Sequence, residues 1–370
     1  MRLRHLLSRI AVAALIGTTL SATAGMNPAS AGSGIVVRLV RGGLNDPSGF
    51  TFAPGGLIYY LERGTGQVRI LNLTTHTNRL FFTITNVNGD GERGALGIAL
   101  SPGWPQRPFV YVYVTRQVNG TLRNQILRIR AKNGHGVASH VIFQTSAVTV
   151  LYHNGGRLLF GPGGDLYAMV GDGHTDANAQ DITSNPRGKI LRMKPDGTVP
   201  ATNPIHGSRI WSFGHRNSFG FTFDPQTGHL WETENGPACN DEVNLDVRDG
   251  NFGWGANENC SGTSPGDTNN SGPAPRLTPK WFTQGTIGIT GDAFCNGCGL
   301  PSQYEGDLFF GGYNDGQLRV LQLNPARNDV VGGASVVLTA PNNVILSMET
   351  APDGTIYFSE PGGIYKLVAG

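Results

Sequence analysis

Short apolar runs of period two recur along the chain, each entered through a Gly- or Pro-containing turn. Leu57-Ile-Tyr-Tyr60 and Val110-Tyr-Val-Tyr113 show the pattern clearly. Alternating β-branched and aromatic residues suit the pleated surface of a strand and do not match a helical period. The runs come in pairs. Pro54 to Tyr60 leads to Gly66 to Leu71, Arg107 to Tyr113 to Gln125 to Ile129, and Pro162 to Tyr167 to Gly188 to Met193. Pro225 to Trp231 leads to Asp241 to Leu245, Tyr304 to Phe310 to Gly316 to Leu321, and Pro352 to Phe358 to Gly363 to Leu367. About six copies at a spacing near 50 residues is the rhythm of propeller blades.

One such unit cannot bury both of its faces alone, whereas radial stacking buries them and leaves only short edges. The pattern therefore predicts an all-β fold, a six-bladed β-propeller of four-stranded antiparallel blades. The apolar segment Gly34 to Val40 is placed to join the last blade and close the ring. The alternative is a tandem pair of β-sandwiches. Two stretches break the rhythm. Asn257 to Gly272 is rich in Gly, Ser, Asn and Thr, and Asp172 to Pro186 is polar and interrupts one unit. Long loops inside a compact domain are usually functional or disordered.

Composition adds the N-terminal segment. Arg2, Arg4 and Arg9 precede the apolar stretch Ile10 to Leu20, and Ala29-Ser30-Ala31 has the small-residue form of a cleavage site. Residues 1–31 read as a secretory signal peptide and residues 32–370 as one propeller domain, exported and without a membrane span. Three of the 28 Lys and Arg fall in the signal, leaving 25 against 26 Asp and Glu. That balance offers no basic face for nucleic acid. In an exported chain the four cysteines are expected as disulfides, and proximity pairs Cys239 with Cys260 and Cys295 with Cys298.

Candidate chemistry lies in the turns. His153 precedes Gly155 and Gly156, and an imidazole with an unperturbed pKa of about 6.5 can act as a base near neutral pH. Arg216 brings a planar fork of donors and Asn217 both a donor and an acceptor. The Gly236-Pro237 turn, between Glu234 and Asp241, offers carbonyls of the kind a hard cation such as calcium takes. Glu92 and Gln180 are polar loop residues that mean little alone. The same residues also suit a locally bonded histidine, a blade-joining turn and an acidic surface turn. A hydrolytic pairing of His153 with Glu234 lacks a nucleophile.

Taken in order, the motifs are specific. They are Glu92-Arg-Gly-Ala-Leu-Gly97, His153-Asn-Gly-Gly-Arg157, Gly171-Asp172, Gly188 to Arg192, Gly214-His-Arg-Asn217, Glu234 to Pro237, Asp241 to Asn244, Asn251 to Trp254 and Gly306 to Phe310. The set resembles the soluble aldose sugar dehydrogenase family, also called the glucose/sorbosone dehydrogenase domain, from about Leu44 to Leu367. The resemblance implies a six-bladed propeller using pyrroloquinoline quinone (PQQ) and calcium to oxidise an aldose and pass electrons to an external acceptor. It implies that His153 takes the proton of the anomeric hydroxyl while hydride passes to the quinone. Arg216 would stabilise the reduced quinone oxygen, Asn217 and Gln180 would contact the cofactor, and Gly236 and Pro237 would bind calcium through their carbonyls.

The chain also departs from the family pattern. Glu92 stands where a glutamine touches the cofactor, and Gly312 to Asp315 replaces a lysine-bearing loop. Val344-Ile-Leu346 replaces an Arg-x-Arg pair, and Tyr152 stands where relatives carry aspartate or asparagine. Fewer cations against a tricarboxylate imply weakened cofactor binding. They keep open a non-catalytic ligand- or carbohydrate-binding propeller, a use of this scaffold seen in hedgehog-interacting protein.

Overall fold

The computed structural model describes residues 32–146, 148–183, 185–255 and 275–370. The signal segment, the Asn257 to Gly272 stretch and Cys260 lie outside these residues. Six four-stranded antiparallel sheets follow one another along the chain. Each repeat unit of the sequence is the middle of one sheet. Leu57–Glu62 and Gln67–Asn72 are the second and third strands of the first blade, and Ile356–Glu360 and Gly363–Ala369 pair in the last.

Period two has a direct structural meaning. On Leu57–Glu62, Ile58 and Tyr60 pack with Tyr357 and Ile364 of the last blade, while Tyr59 and Leu61 pack with Val110 and Val112 of the second. Both faces of the strand are core, which is why polar residues are nearly absent from it. An apolar cluster fills each of the six blade interfaces. A fully buried side chain in such a cluster contributes about 1.5–3 kcal/mol.

The innermost strands follow one another round a ring from Phe50–Ala53 to Ser347–Thr350 and back, and at one junction Ser218–Phe223 meets Leu166–Val170, the second strand of its neighbour. Tandem sandwiches could not bring those two strands together. Closure comes from the early strand, as the apolar pattern of Gly34 to Val40 suggests. Ile35–Gly42 pairs antiparallel with Gly363–Ala369, setting Val36 opposite Val368 and Gly42 opposite Gly363. The expected Cys295–Cys298 disulfide is present. The expected Cys239–Cys260 pairing falls partly outside the described residues.

The axis itself is polar. Arg157 pairs with Glu349 at 2.7 Å. Asp292, on the innermost strand Ile289–Phe294, is buried, and neither of its oxygens has a hydrogen-bond partner among the described residues. Burial pushes its carboxyl well above the usual range, Arg157 opposing and Glu349 adding to the rise.

Ile35→Ala, at a fully buried position of the closing strand, should cost about 2–5 kcal/mol in denaturant unfolding. Leu39→Ala in the same strand, at 55% exposure, should change stability by no more than about 0.5 kcal/mol. Asp292 binds a proton more tightly when folded than unfolded. Its contribution is therefore fully present below the ordinary carboxylate pKa of about 3.9 and is lost as pH rises through the elevated folded value. Urea midpoints at pH 5 and pH 9 should show a smaller loss on alkalinisation for Asp292→Asn than for wild type. Parallel profiles would contradict this.

Candidate functional site

A cleft of about 950 Å³ opens at one end of the axis. Glu92, His153, Arg216, Asn217, Gly236 and Pro237 all line it. They come from four connections. Glu92 lies between Asn78–Thr83 and Ala95–Leu100, and His153 between His135–Gln144 and Leu158–Phe160. Arg216 and Asn217 precede Ser218–Phe223, and Gly236 and Pro237 lie in the turn between Leu230–Glu234 and Asp241–Asp246.

His153 is buried at the cleft wall with φ of 58°, a left-handed conformation uncommon outside glycine. Three contacts hold it. Its backbone N–H donates to Glu92 Oε2 at 2.7 Å. Its Nδ1 lies 2.7 Å from Asp172 Oδ1. Its ring meets that of His174 edge-on at 4.8 Å between centroids. Asp172 is itself fixed: Oδ1 accepts the His174 N–H at 2.7 Å and Oδ2 accepts Trp254 Nε1 at 2.8 Å. A carboxylate on Nδ1 favours the tautomer with its proton there, leaving the Nε2 lone pair for a ligand. Gly155, two residues on, has φ of 64°, and a Cβ there would meet the backbone of Gly171 at 2.6 Å. Its N–H donates to Asn217 Oδ1 at 3.1 Å.

Arg216 stands over Trp254, its guanidinium carbon 5.3 Å from the ring centroid, and Nη1 donates to the Asn235 carbonyl at 3.0 Å. Its Nε is buried without a hydrogen-bond partner among the described residues. Trp254 thus touches both Asp172 and Arg216. Neither Asp172 nor Trp254 stands out as a site residue in the sequence; each lies in a short motif, but its partner is distant along the chain.

Behind this wall lies a charged support. His215 is fully buried, with Nδ1 2.9 Å from Glu234 Oε2 and 3.2 Å from Glu232 Oε2. Burial opposes its charge, but the two glutamates outweigh burial and hold the imidazolium well above its ordinary pKa. Glu234 Oε1 also accepts the backbone N–H of Arg216 at 2.5 Å. Glu234 is therefore committed to His215 and Arg216 and does not pair with His153.

Gly236 sits in a turn too tight for a side chain, since a Cβ would strike the carbonyls of Cys239 and Asn240. Its N–H donates to Asp241 Oδ1 at 2.9 Å, while Asp241 Oδ2 accepts the N–H groups of Ile287 and Ile289 at 2.8 and 3.2 Å. Burial raises the Asp241 carboxyl above its usual range, and these backbone donors oppose the rise.

Gln180 is the one candidate that does not line the cleft. Its Nε2 donates to Asn251 Oδ1 at 3.0 Å and to the Trp254 carbonyl at 2.6 Å. That commits its amide nitrogen to the Trp254 segment and leaves Oε1 buried without a hydrogen-bond partner among the described residues.

The donor set suits a quinone with a hard cation. Arg216 carries a buried donor without a hydrogen-bond partner among the described residues, and Gly236, Pro237 and His153 line the same cleft. The other cleft guanidiniums are occupied. Arg63 bonds Asp46 at 2.6 Å and the carbonyls of Gly89, Gly91 and Arg93. Arg157 is held by Glu349. The quinone and cation side is provided for more fully than any carboxylates a cofactor carries.

Similarity to known proteins agrees with this geometry. Quinoprotein glucose dehydrogenase B of Acinetobacter calcoaceticus is 29% identical over 289 residues, 68% of this chain and 60% of that protein. The chain thus spans about three fifths of that relative's length. An aldose sugar dehydrogenase of Escherichia coli K12 is 26% identical, with 87% of this chain and 88% of the relative covered. The PQQ-bound aldose sugar dehydrogenase of Streptomyces coelicolor superposes with a TM-score of 0.76 at 25% identity, over 91% of this chain and 98% of that one. The family model for Glucose / Sorbosone dehydrogenase matches residues 44–367, and the chain belongs to that family.

Proposed function

We propose that the chain is an exported sugar oxidoreductase that uses PQQ and calcium and passes electrons to an external acceptor. The observation that carries this reading is the Asp172-backed imidazole of His153, which lines the same cleft as Arg216 and the Gly236-Pro237 turn. When bound, PQQ supplies a two-electron acceptor and calcium the Lewis acid that polarises it. The carbonyls of Gly236 and Pro237 would hold the calcium.

The protein's own residues supply the rest. His153 Nε2 takes the proton of the sugar's anomeric hydroxyl. The Asp172 carboxylate on Nδ1 keeps the acceptor nitrogen facing the substrate and stabilises the imidazolium as it forms. Arg216, held over Trp254, would stabilise negative charge on the cofactor oxygen nearest its guanidinium. Asn217 holds Gly155 beside the histidine.

A second reading, a sugar-binding propeller without catalysis, draws on the commitment of Arg63 and Arg157 to Asp46 and Glu349. A tricarboxylate would then meet Arg216 as the cleft guanidinium without a carboxylate partner, and unpaired buried charge is costly.

Calorimetric titration with PQQ in calcium buffer separates the two. Binding with micromolar or better affinity, together with dye reduction driven by an aldose, is expected for the enzyme. His153→Ala and Asp172→Asn should each lower kcat by about 10²–10⁴-fold. Sugar binding with no PQQ binding would establish the second reading instead.

A further inference from the structure

We propose that Glu92 is a positioning residue that does two separable jobs: one of its oxygens sets the geometry of His153, and its charge disfavours an anionic ligand. The loop that carries it is anchored on both sides. Arg63 Nη1 donates to the carbonyls of Gly89, Gly91 and Arg93 at 3.0, 2.7 and 3.0 Å. Arg93 grips the Val150 carbonyl through Nε and Nη2 at 3.0 and 2.7 Å, and the Glu92 N–H donates to the Leu151 carbonyl at 3.0 Å. The loop before the second blade is thereby fastened to the loop that brings His153.

From this anchored loop, Glu92 Oε2 accepts the backbone N–H of His153 at 2.7 Å and Asn217 Nδ2 at 3.1 Å. Asn217 Oδ1 accepts the Gly155 N–H at 3.1 Å. The three bonds close a circuit joining the His153 connection to the Arg216-Asn217 connection, so Glu92 fixes the spacing of the two loops that carry the cleft's imidazole and guanidinium. It also holds His153 in its left-handed backbone conformation, which is uncommon outside glycine.

Both donors converge on a single oxygen, and Oε1 has no partner among the described residues. Geometry therefore demands one acceptor with two lone pairs, which an amide carbonyl also provides. The negative charge is not needed for positioning. It sits on the wall of a cleft whose Arg63 and Arg157 are already paired, and there it repels any carboxylate ligand. Glu92→Gln keeps the acceptor and removes the charge; Glu92→Ala removes both.

The positioning half is read without cofactor. The His153 Cε1–H resonance, identified by its loss in His153→Ala, is compared at one alkaline pH in wild type, E92Q and E92A, with thermal midpoints as a check on folding. The expected result is a displaced resonance in E92A and a near wild-type position in E92Q. An unchanged resonance in E92A, or displacement in E92Q as large as in E92A, overturns it; if E92A does not fold, E92Q alone decides.

The charge half rests on the PQQ reading and is measured by calorimetry with PQQ and calcium. E92Q should bind about three- to tenfold tighter than wild type at low ionic strength, the gap narrowing in 0.5 M salt. Equal or weaker binding by E92Q overturns it. Binding by neither protein overturns both this half and the proposed function, but leaves the imidazole result standing.

Discussion

Burial of both faces of every blade is the constraint on which the structure depends. A strand such as Leu57–Glu62 gives Ile58 and Tyr60 to one neighbour and Tyr59 and Leu61 to the other. No blade can satisfy that demand alone, and an open row of six would leave two apolar faces in water. Only a circle meets it, and the circle then forces the connections between blades to converge. The site is a by-product of that convergence. His153 and Arg216, on connections between blades, and the Gly236-Pro237 turn, between two strands of one blade, face one cleft because a closed ring brings all three loops to one end of its axis.

Convergence sets approximate positions; hydrogen bonds set the final ones. Asp172 receives Trp254 Nε1 on one oxygen and contacts His153 on the other, while Trp254 lies under Arg216. The base and the guanidinium thus share a support. A second support runs through His215, whose imidazolium is held by Glu232 and Glu234, and Glu234 in turn binds the backbone of Arg216. The cleft wall is two layers deep, and the inner layer carries more buried charge than the outer one.

Much of the fold was legible in the sequence because period-two strands and turn residues are local signals. The middle strands of every blade carry them strongly. The short outer strand Trp281–Thr283 and the short inner strand Leu158–Phe160 are too brief to show a period, and their pairing partners identify them. Six of the seven candidate site residues reach the cleft. Gln180 does not, because its amide is taken by Asn251 and Trp254, a competition that no motif order reveals. The partnership of Asp172 with His153 was hidden for the same reason: it exists only once the strand Leu166–Val170 has brought the chain back to the cleft. The use of Glu92 as a bond acceptor for two other loops was equally invisible, since its partners are 61 and 125 residues away.

The antiparallel pairing of Ile35–Gly42 with Gly363–Ala369 has a consequence for biogenesis. Ile35–Gly42 is made early in synthesis and must wait for Gly363–Ala369, made far later. Joining them closes a loop of nearly the whole chain, and the entropy of that closure grows only slowly with length, yet the search for it is slow. A nascent chain can build the five intervening blades in order, but the one sheet that Ile35–Gly42 shares with Gly363–Ala369 stays incomplete until Gly363–Ala369 is free to move. Until then the apolar edge of the early strand is available to other chains, so slow release or stalled synthesis exposes this protein to aggregation at its beginning, not at its end.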